Sequence, residues 1–410
     1  MSAQKNIVVI GAGHAGGNVV AFLRQYGFAG SITLIGEEQA LPYHRPPLSK
    51  GWLKGETTPA QLLLKPEQFY TDQNITTLLN TEVCSIDRTT KEVVLGSDER
   101  LPYDHLIIAT GAGARRLPAQ GHDLDGVCYL RDLSQANVLK ERLLPDARLV
   151  IIGAGYIGLE VAASARLLGV QVTVIEREER LLARVASQAL SEFYQRAHEE
   201  HGVEFILQAD IDFLLGVNGA LTAVRLQDGR EISCNLALVG IGAIPNDQLA
   251  SAAGIECNNG IVVDETACSS DPSIFAIGDV SNRPLPVYDC RFRLENISNT
   301  LEQAKQVAST LTGFKFPPAE VPWFWSDQYE HKLQIAGLAL DPDQQIVRQG
   351  DEPHRFAVYH FKGDRLLAVE AVNMPAEFMY GKKWIANNTA LDLKKLQDSS
   401  IAAKACLSDS

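Results

Sequence analysis

The chain is poor in positive charge: 37 lysines and arginines stand against 50 aspartates and glutamates, for a formal net charge of −13 over 410 residues. Wide contact with nucleic acid or an anionic membrane requires a basic surface to neutralise phosphates, so this balance argues against both and leaves room only for a local basic patch. Long apolar runs are missing as well, since no stretch approaches the ~18 residues a membrane span requires. Cysteine is scattered: Cys84, Cys128, Cys234, Cys257, Cys268, Cys290 and Cys406 never fall at a C-x-x-C or metal-ligand spacing. That leaves no dithiol active site and fits reduced, structural thiols. The histidines show neither metal-ligand nor triad spacing, so no metal is expected. Residues 1 to 6 lead straight into an apolar strand, with no room for a signal or transit peptide, and the expected location is cytoplasmic.

What the chain does have is a repeated glycine fingerprint. Ile7-Val8-Val9-Ile10 runs into Gly11, Gly13 and Gly16, and Leu149-Val150-Ile151-Ile152 runs into Gly153, Gly155 and Gly158. In each copy a β-branched run reads as a buried parallel strand. The glycines allow a tight turn and let backbone N–H groups at a helix start approach a pyrophosphate. One such fingerprint is weak; two, each with an acidic residue at the end of a following strand, predict a chain that holds two dinucleotides.

Those acidic residues are Glu37, after Ile32-Thr33-Leu34-Ile35, and Glu176, after Val172-Thr173-Val174-Ile175. A carboxylate there accepts hydrogen bonds from ribose hydroxyls and repels a 2′-phosphate, which favours NAD over NADP at the second site. Arg177, directly after Glu176, offsets part of that repulsion. The bland alternative for each is a solvated charge at a strand end.

The pattern predicts an α/β protein with two Rossmann-like dinucleotide-binding domains, the second inserted in the first, followed by a C-terminal α+β domain with an antiparallel sheet. The first domain takes residues 1–114 and 247–322, the second 115–246, and the third 323–410. Leu106 to Gly111 and Leu236 to Gly242 are matching apolar strands that run into glycine, closing each nucleotide unit. A stiff, proline-rich loop from Leu41 to Lys50 follows the strand from Ser31 to Gly36. Period-two segments at 333–338, 355–361 and 366–372 read as the antiparallel sheet. A helix is expected around Lys382 to Leu396, and fraying from Ser399 to Ser410.

Taken in order, GAGHAG at 11–16, RPPLSK at 45–50, ATG at 109–111, GAGYIGLE at 153–160, IFAIGD at 274–279, LEQA at 301–304 and PWFWSDQY at 322–329 resemble the NADH-dependent ferredoxin reductases of bacterial oxygenase systems, the family of putidaredoxin reductase and the aromatic-ring dioxygenase reductases. The resemblance spans nearly the whole chain, and RPPLSK and WFWSDQY are its most discriminating parts. It implies FAD at the first site, NADH at the second, a third domain whose sheet backs the flavin, and a 2Fe-2S ferredoxin as transient electron acceptor. It assigns the FAD pyrophosphate to Gly11, Gly13, Ala15 and Gly16, the adenosine ribose to Glu37, and positions along the FAD to Arg45, Lys50, Ala109, Thr110, Gly111 and Gly278. Asp279 takes the ribityl chain. Gly153, Gly155, Tyr156, Ile157 and Gly158 match the NAD-binding turn, with Glu176 on the ribose.

By the same resemblance Lys50 and Glu160 are a pair flanking the flavin where nicotinamide stacks, Trp325 lies beside the isoalloxazine ring, and Glu295 contacts the nicotinamide side. These last are the candidate catalytic positions: Lys50, Glu160 and Trp325. One departure is Ser298-Asn299-Thr300 before LEQA, where relatives of this type commonly carry Pro-Asn-Ala. Each assignment has a plainer alternative: a solvated loop lysine, an exposed helix glutamate, a core tryptophan, a helix cap at Asp279. His14 reads as a spacer. An acidic partner would be steered by a basic rim, for which Arg291, Arg293, Lys305 and Lys332 are candidates.

Two rival functions stay open on the sequence alone. An NADH oxidase or peroxidase of the same architecture needs a redox cysteine near the flavin, and residues 41–51 contain none. A flavin-bound NADH sensor or interaction protein would hold its reduced complex instead of passing electrons on.

Overall fold

The computed structural model describes residues 5–408. Met1 to Gln4, part of the segment expected to lead straight into the first strand, and Asp409 and Ser410, the end of the tail expected to fray, lie outside the described residues. The chain forms two compact units: Met1–Arg45, Thr58–Gly113 and Ala243–Glu320 make one, and Pro46–Thr57, Ala114–Gly242 and Val321–Ser410 the other.

In the first unit a five-stranded parallel sheet runs in the order Ile274–Ala276, His105–Ile108, Asn6–Ile10, Ser31–Ile35, Ile75–Leu78. The strands are near-continuous apolar runs because both faces are covered. Ile7, Val9, Ile32, Leu34 and Ile107 pack with Val19, Val20 and Leu23 of helix His14–Gln25 and with Ala304, Val307 and Ala308 of helix Ile297–Thr312. Val8, Ile10, Leu106 and Ile108 pack on the other side with Val93, Leu95 and Tyr103. The edge strand Ile274–Ala276 comes from beyond the middle segment of the chain, so this unit is discontinuous in sequence.

The second unit holds a matching parallel sheet, in the order Val203–Ile206, Gln171–Ile175, Arg148–Ile152, Leu236–Val239, Val127–Cys128. It also holds an antiparallel five-stranded sheet: Trp323–Gln328, His331–Gly337, Arg365–Val372, Phe356–Lys362, Gln344–Gln349. The two share one core, in which Leu333, Val358 and Val372 meet Leu159, Leu190 and Tyr194. Buried Glu370 stitches them further, accepting from the Ser187 amide at 2.9 Å and its hydroxyl at 2.5 Å.

The C-terminal tail departs from expectation. In place of one helix over 382–396 there are two, Pro375–Asn387 and Leu393–Gln397. Pro375 starts the first, and Asn388 ends it in the left-handed conformation (φ 46) that asparagine tolerates. Nor are the described residues from Ser399 onward frayed. Arg348 reaches from the sheet to the carbonyls of Leu396 and Asp398, both at 3.0 Å, and to that of Ile401, and Ala403 and Cys406 are buried.

Candidate active site

Each fingerprint divides the same labour among its three glycines. Gly11 (φ +109) turns the chain off its strand, and a Cβ there would stand 2.2 Å from the Ala109 carbonyl oxygen; one at Gly16 would stand 2.0 Å from that of Gly11. The middle glycine, Gly13, is different, since its nearest neighbour would be the Arg45 guanidinium at an ordinary 3.6 Å. In the second unit Gly153 (φ +102) and Gly158 would clash with the carbonyls of Gly240 and Gly153 at 2.5 and 2.6 Å, while at Gly155 no atom lies within 4 Å. The outer glycines are required by the fold, and the central ones leave room for something other than protein. A pyrophosphate drawn close to backbone is what such an opening fits.

The helix starts agree. His14–Gln25 begins after Gly13 and Tyr156–Leu167 after Gly155, with no side-chain cap and no acidic residue in either first turn. Elsewhere Asp132, Ser187, Asn296 and Asp392 cap their helices in the ordinary way. Both fingerprint helices thus keep their positive dipole ends and donor amides for an anion.

Around the first cradle, Gly278 (φ +76) brings its turn to within 3.1 Å of the Ala15 side chain, measured from the Cβ that Gly278 lacks. The charge of Asp279, next in the chain, acts on His14. Thr110 and Asn246 exchange hydrogen bonds, the hydroxyl to the Asn246 carbonyl at 2.7 Å and the amide to the Thr110 carbonyl at 2.9 Å, fixing the Ala109-Thr110-Gly111 turn. Glu37 stands exposed past its strand, whereas Glu38 is engaged by Arg45 at 2.7 Å and by the Tyr43 hydroxyl at 2.6 Å. His14 is more than a spacer. It is buried against His44, ring centroids 5.4 Å apart, and burial pushes its pKa down to about 4.

At the second cradle Glu176 is already oriented, one oxygen accepting from the Ala154 amide at 2.7 Å and the other from that of Glu178 at 3.0 Å. Arg177 turns to Glu178 at 3.2 Å. Ile157 is exposed at the helix start, and the Tyr156 ring leans on Phe324 with centroids 4.7 Å apart.

Lys50 and Glu160 meet. Glu160 lies on helix Tyr156–Leu167 one turn before Ser164, and both grip the short helical turn Pro46–Ser49. Ser164 donates to the Ser49 carbonyl at 2.8 Å, and the Ser49 hydroxyl donates to Glu160 Oε2 at 2.6 Å. That clamp delivers Lys50 Nζ to the same oxygen at 2.6 Å, while Ser326 donates to Oε1 at 2.7 Å. A carboxylate buried this deeply is tolerable only with such donors, because desolvation of an unpaired charge costs several kcal/mol. The exposed-glutamate alternative for Glu160 therefore does not hold. Ser49 and Ser326, which reading the sequence missed, are found by the contact alone.

Trp325 is half-buried, its ring 5.5 Å from that of Trp323. Glu295 is paired with Arg293 at 2.6 Å. Of the cations considered for a basic rim, Arg291 donates to the carbonyls of Val263 and Asn282, and Arg293 is committed to Glu295, its side chain only 10% exposed. Lys305 sits over the Phe22 ring, 5.8 Å from its centroid. Arg291 and Arg293 thus serve the protein's own backbone and ion pairing first.

Comparison with known proteins gives a consistent set of relatives. The family model described as pyridine nucleotide-disulphide oxidoreductase matches residues 5–304, and one described as reductase C-terminal matches 323–407. A probable ferredoxin reductase, CtmF, of Castellaniella defragrans is 44% identical over 99% of both chains. A rubredoxin-NAD(+) reductase of Ectopseudomonas oleovorans is 43% identical over 90% of this chain and 96% of its own. Among solved structures, putidaredoxin reductase in covalent complex with putidaredoxin superimposes with a TM-score of 0.96 at 39% identity, covering 98% of each chain.

Proposed function

The chain belongs to the pyridine nucleotide-disulphide oxidoreductase family, and on that premise we propose that it is an FAD-dependent reductase that takes hydride from NADH and passes single electrons to a 2Fe-2S ferredoxin feeding an oxygenase. The observation that carries this is the coincidence of two open glycine cradles with Lys50 ion-paired to the buried Glu160 in a chain whose seven cysteines are all free thiols. A disulphide reductase would need a dithiol; a one-electron carrier outside the chain does not. FAD, when bound, accepts electrons as a hydride and releases them one at a time.

The first cradle, with Gly11, Gly13, Ala15, Gly16, Glu37, Arg45, Ala109, Thr110, Gly111, Gly278 and Asp279, is assigned to FAD. The second, with Gly153, Gly155, Tyr156, Ile157, Gly158 and Glu176, is assigned to NADH. Lys50 holds a fixed positive charge for the hydride step, and Glu160 holds Lys50; Trp325 and Glu295 are assigned to the ring environment. The domain division at 1–114 with 247–322, 115–246 and 323–410 follows the same assignment. No helix among the described residues is long and apolar enough to cross a membrane, and free thiols fit a reducing compartment, which supports a cytoplasmic site of action.

The test is an anaerobic titration of the purified protein with NADH and with NADPH, followed by mixing with a 2Fe-2S ferredoxin and, separately, a rubredoxin. Bleaching of the flavin by NADH followed by fast ferredoxin reduction is expected. A long-lived reduced complex that reduces neither carrier would indicate the sensor, and faster rubredoxin reduction would change the acceptor class.

A further inference from the structure

The Glu160 carboxylate is the end of a longer hydrogen-bonded chain. Ser326 donates to Glu160 Oε1 at 2.7 Å, Gln328 Nε2 donates to the Ser326 hydroxyl at 3.1 Å, Gln328 Oε1 faces His198 Nε2 at 2.8 Å, and His198 Nδ1 faces the Tyr329 hydroxyl at 3.2 Å. Ser326, Gln328 and His198 are fully buried. The direction of every link follows from the ends. An ionised carboxylate accepts only, so Ser326 donates to it and must accept from Gln328. Gln328 then presents its carbonyl to His198, which carries its proton on Nε2 and accepts from Tyr329 at Nδ1. Tyr329 is held in turn by stacking on His201, with centroids 3.7 Å apart and planes 13° apart.

A buried chain whose donors all point one way adds its dipoles at the acceptor, and such networks strengthen each member. We propose that Ser326, Gln328 and His198 are positioning residues that fix the orientation of the Glu160 carboxylate and thereby hold Lys50 in place for hydride transfer. This rests on the role given to the Lys50–Glu160 pair above.

The test uses the holoprotein. Stopped-flow mixing with NADH should show Ser326→Ala slowing flavin reduction about tenfold or more, the scale of one hydrogen bond to a charged group. The NADH dissociation constant should stay within twofold, and Ser326→Thr should restore the rate. Independently of turnover, nitrogen NMR of the resting, NADH-free protein should find His198 neutral with its proton on Nε2, and Gln328→Leu should abolish that tautomer preference. Wild-type reduction rates in Ser326→Ala and Gln328→Leu, or an Nδ1–H tautomer in the wild type, would overturn the proposal. Failure of NADH to reduce the wild-type flavin would be a different result, bringing down the functional reading and this role with it.

Discussion

Lys50 Nζ and Glu160 Oε2 lie 2.6 Å apart, the lysine side chain 19% exposed and the glutamate 1%. The asymmetry makes the pair unequal under mutation. Lys50→Met strands a charge in the interior, which costs several kcal/mol at full burial and less here because Ser49 and Ser326 still donate. Thermal unfolding should fall by several degrees. Lys50→Met combined with Glu160→Gln, which removes the charge while still accepting from one serine hydroxyl and donating its amide to the other, should recover most of that loss without recovering hydride transfer. Differential scanning calorimetry beside stopped-flow reduction separates the two; a double variant no more stable than Lys50→Met alone would mean the pair matters for another reason.

The glycines make a second contrast. Gly155 has φ outside the left-handed range and nothing within 4 Å of its added Cβ, so Gly155→Ala should fold like the wild type. Its methyl would occupy the space given to the NADH pyrophosphate, and the NADH dissociation constant should rise at least tenfold. Gly13→Ala should behave the same way toward FAD. Gly16→Ala, with its Cβ 2.0 Å from the Gly11 carbonyl oxygen, should instead yield little folded protein. Circular dichroism and flavin content of the three variants decide this.

Coenzyme choice is the role proposed for Glu176, which two backbone amides hold at its strand end. Glu176→Ala removes the ribose acceptor and the repulsion of a 2′-phosphate together, and Arg177 stays beside the site, largely exposed. The ratio of kcat/KM for NADH over NADPH should drop by roughly one to two orders of magnitude, chiefly through loss of NADH binding. An unchanged ratio would move the ribose contact elsewhere.

How much of this was legible depended on whether the signal was local. Both cradles could be read from the chain because turn, helix start and strand lie within some ten residues, and glycine is needed there for reasons of space. Lys50 and Glu160 were legible only through the resemblance carried by RPPLSK and GAGYIGLE; nothing in spacing alone joins a loop lysine to a helix glutamate. Ser326 and Gln328 lie inside WFWSDQY, yet their chain to His198 went unread, since that motif assigned a role only to Trp325 and the histidine sits on a different element. The tail was misread for a related cause. Its break at Asn388 is marked by a single asparagine, and its order comes from Arg348, whose carbonyl partners lie some fifty residues further on.

Burial of His198 has a consequence for acid stability. Its pKa is pushed from 6.5 down to about 4, with desolvation the largest cause. Above pH 6.5 the imidazole is neutral in both folded and unfolded chains and contributes no slope. Between 6.5 and about 4 the unfolded chain binds a proton that the native one refuses, so stability falls as pH falls through that window and levels off below it. The full span corresponds to on the order of 3 kcal/mol for this one group. His14, lowered to the same range in the other unit, adds a loss of the same sign. His198→Gln cannot titrate there, so its unfolding midpoint should decline less than that of the wild type between pH 6.5 and 5. Parallel declines in the two proteins would show that burial does not lower the His198 pKa in the native state relative to the unfolded chain.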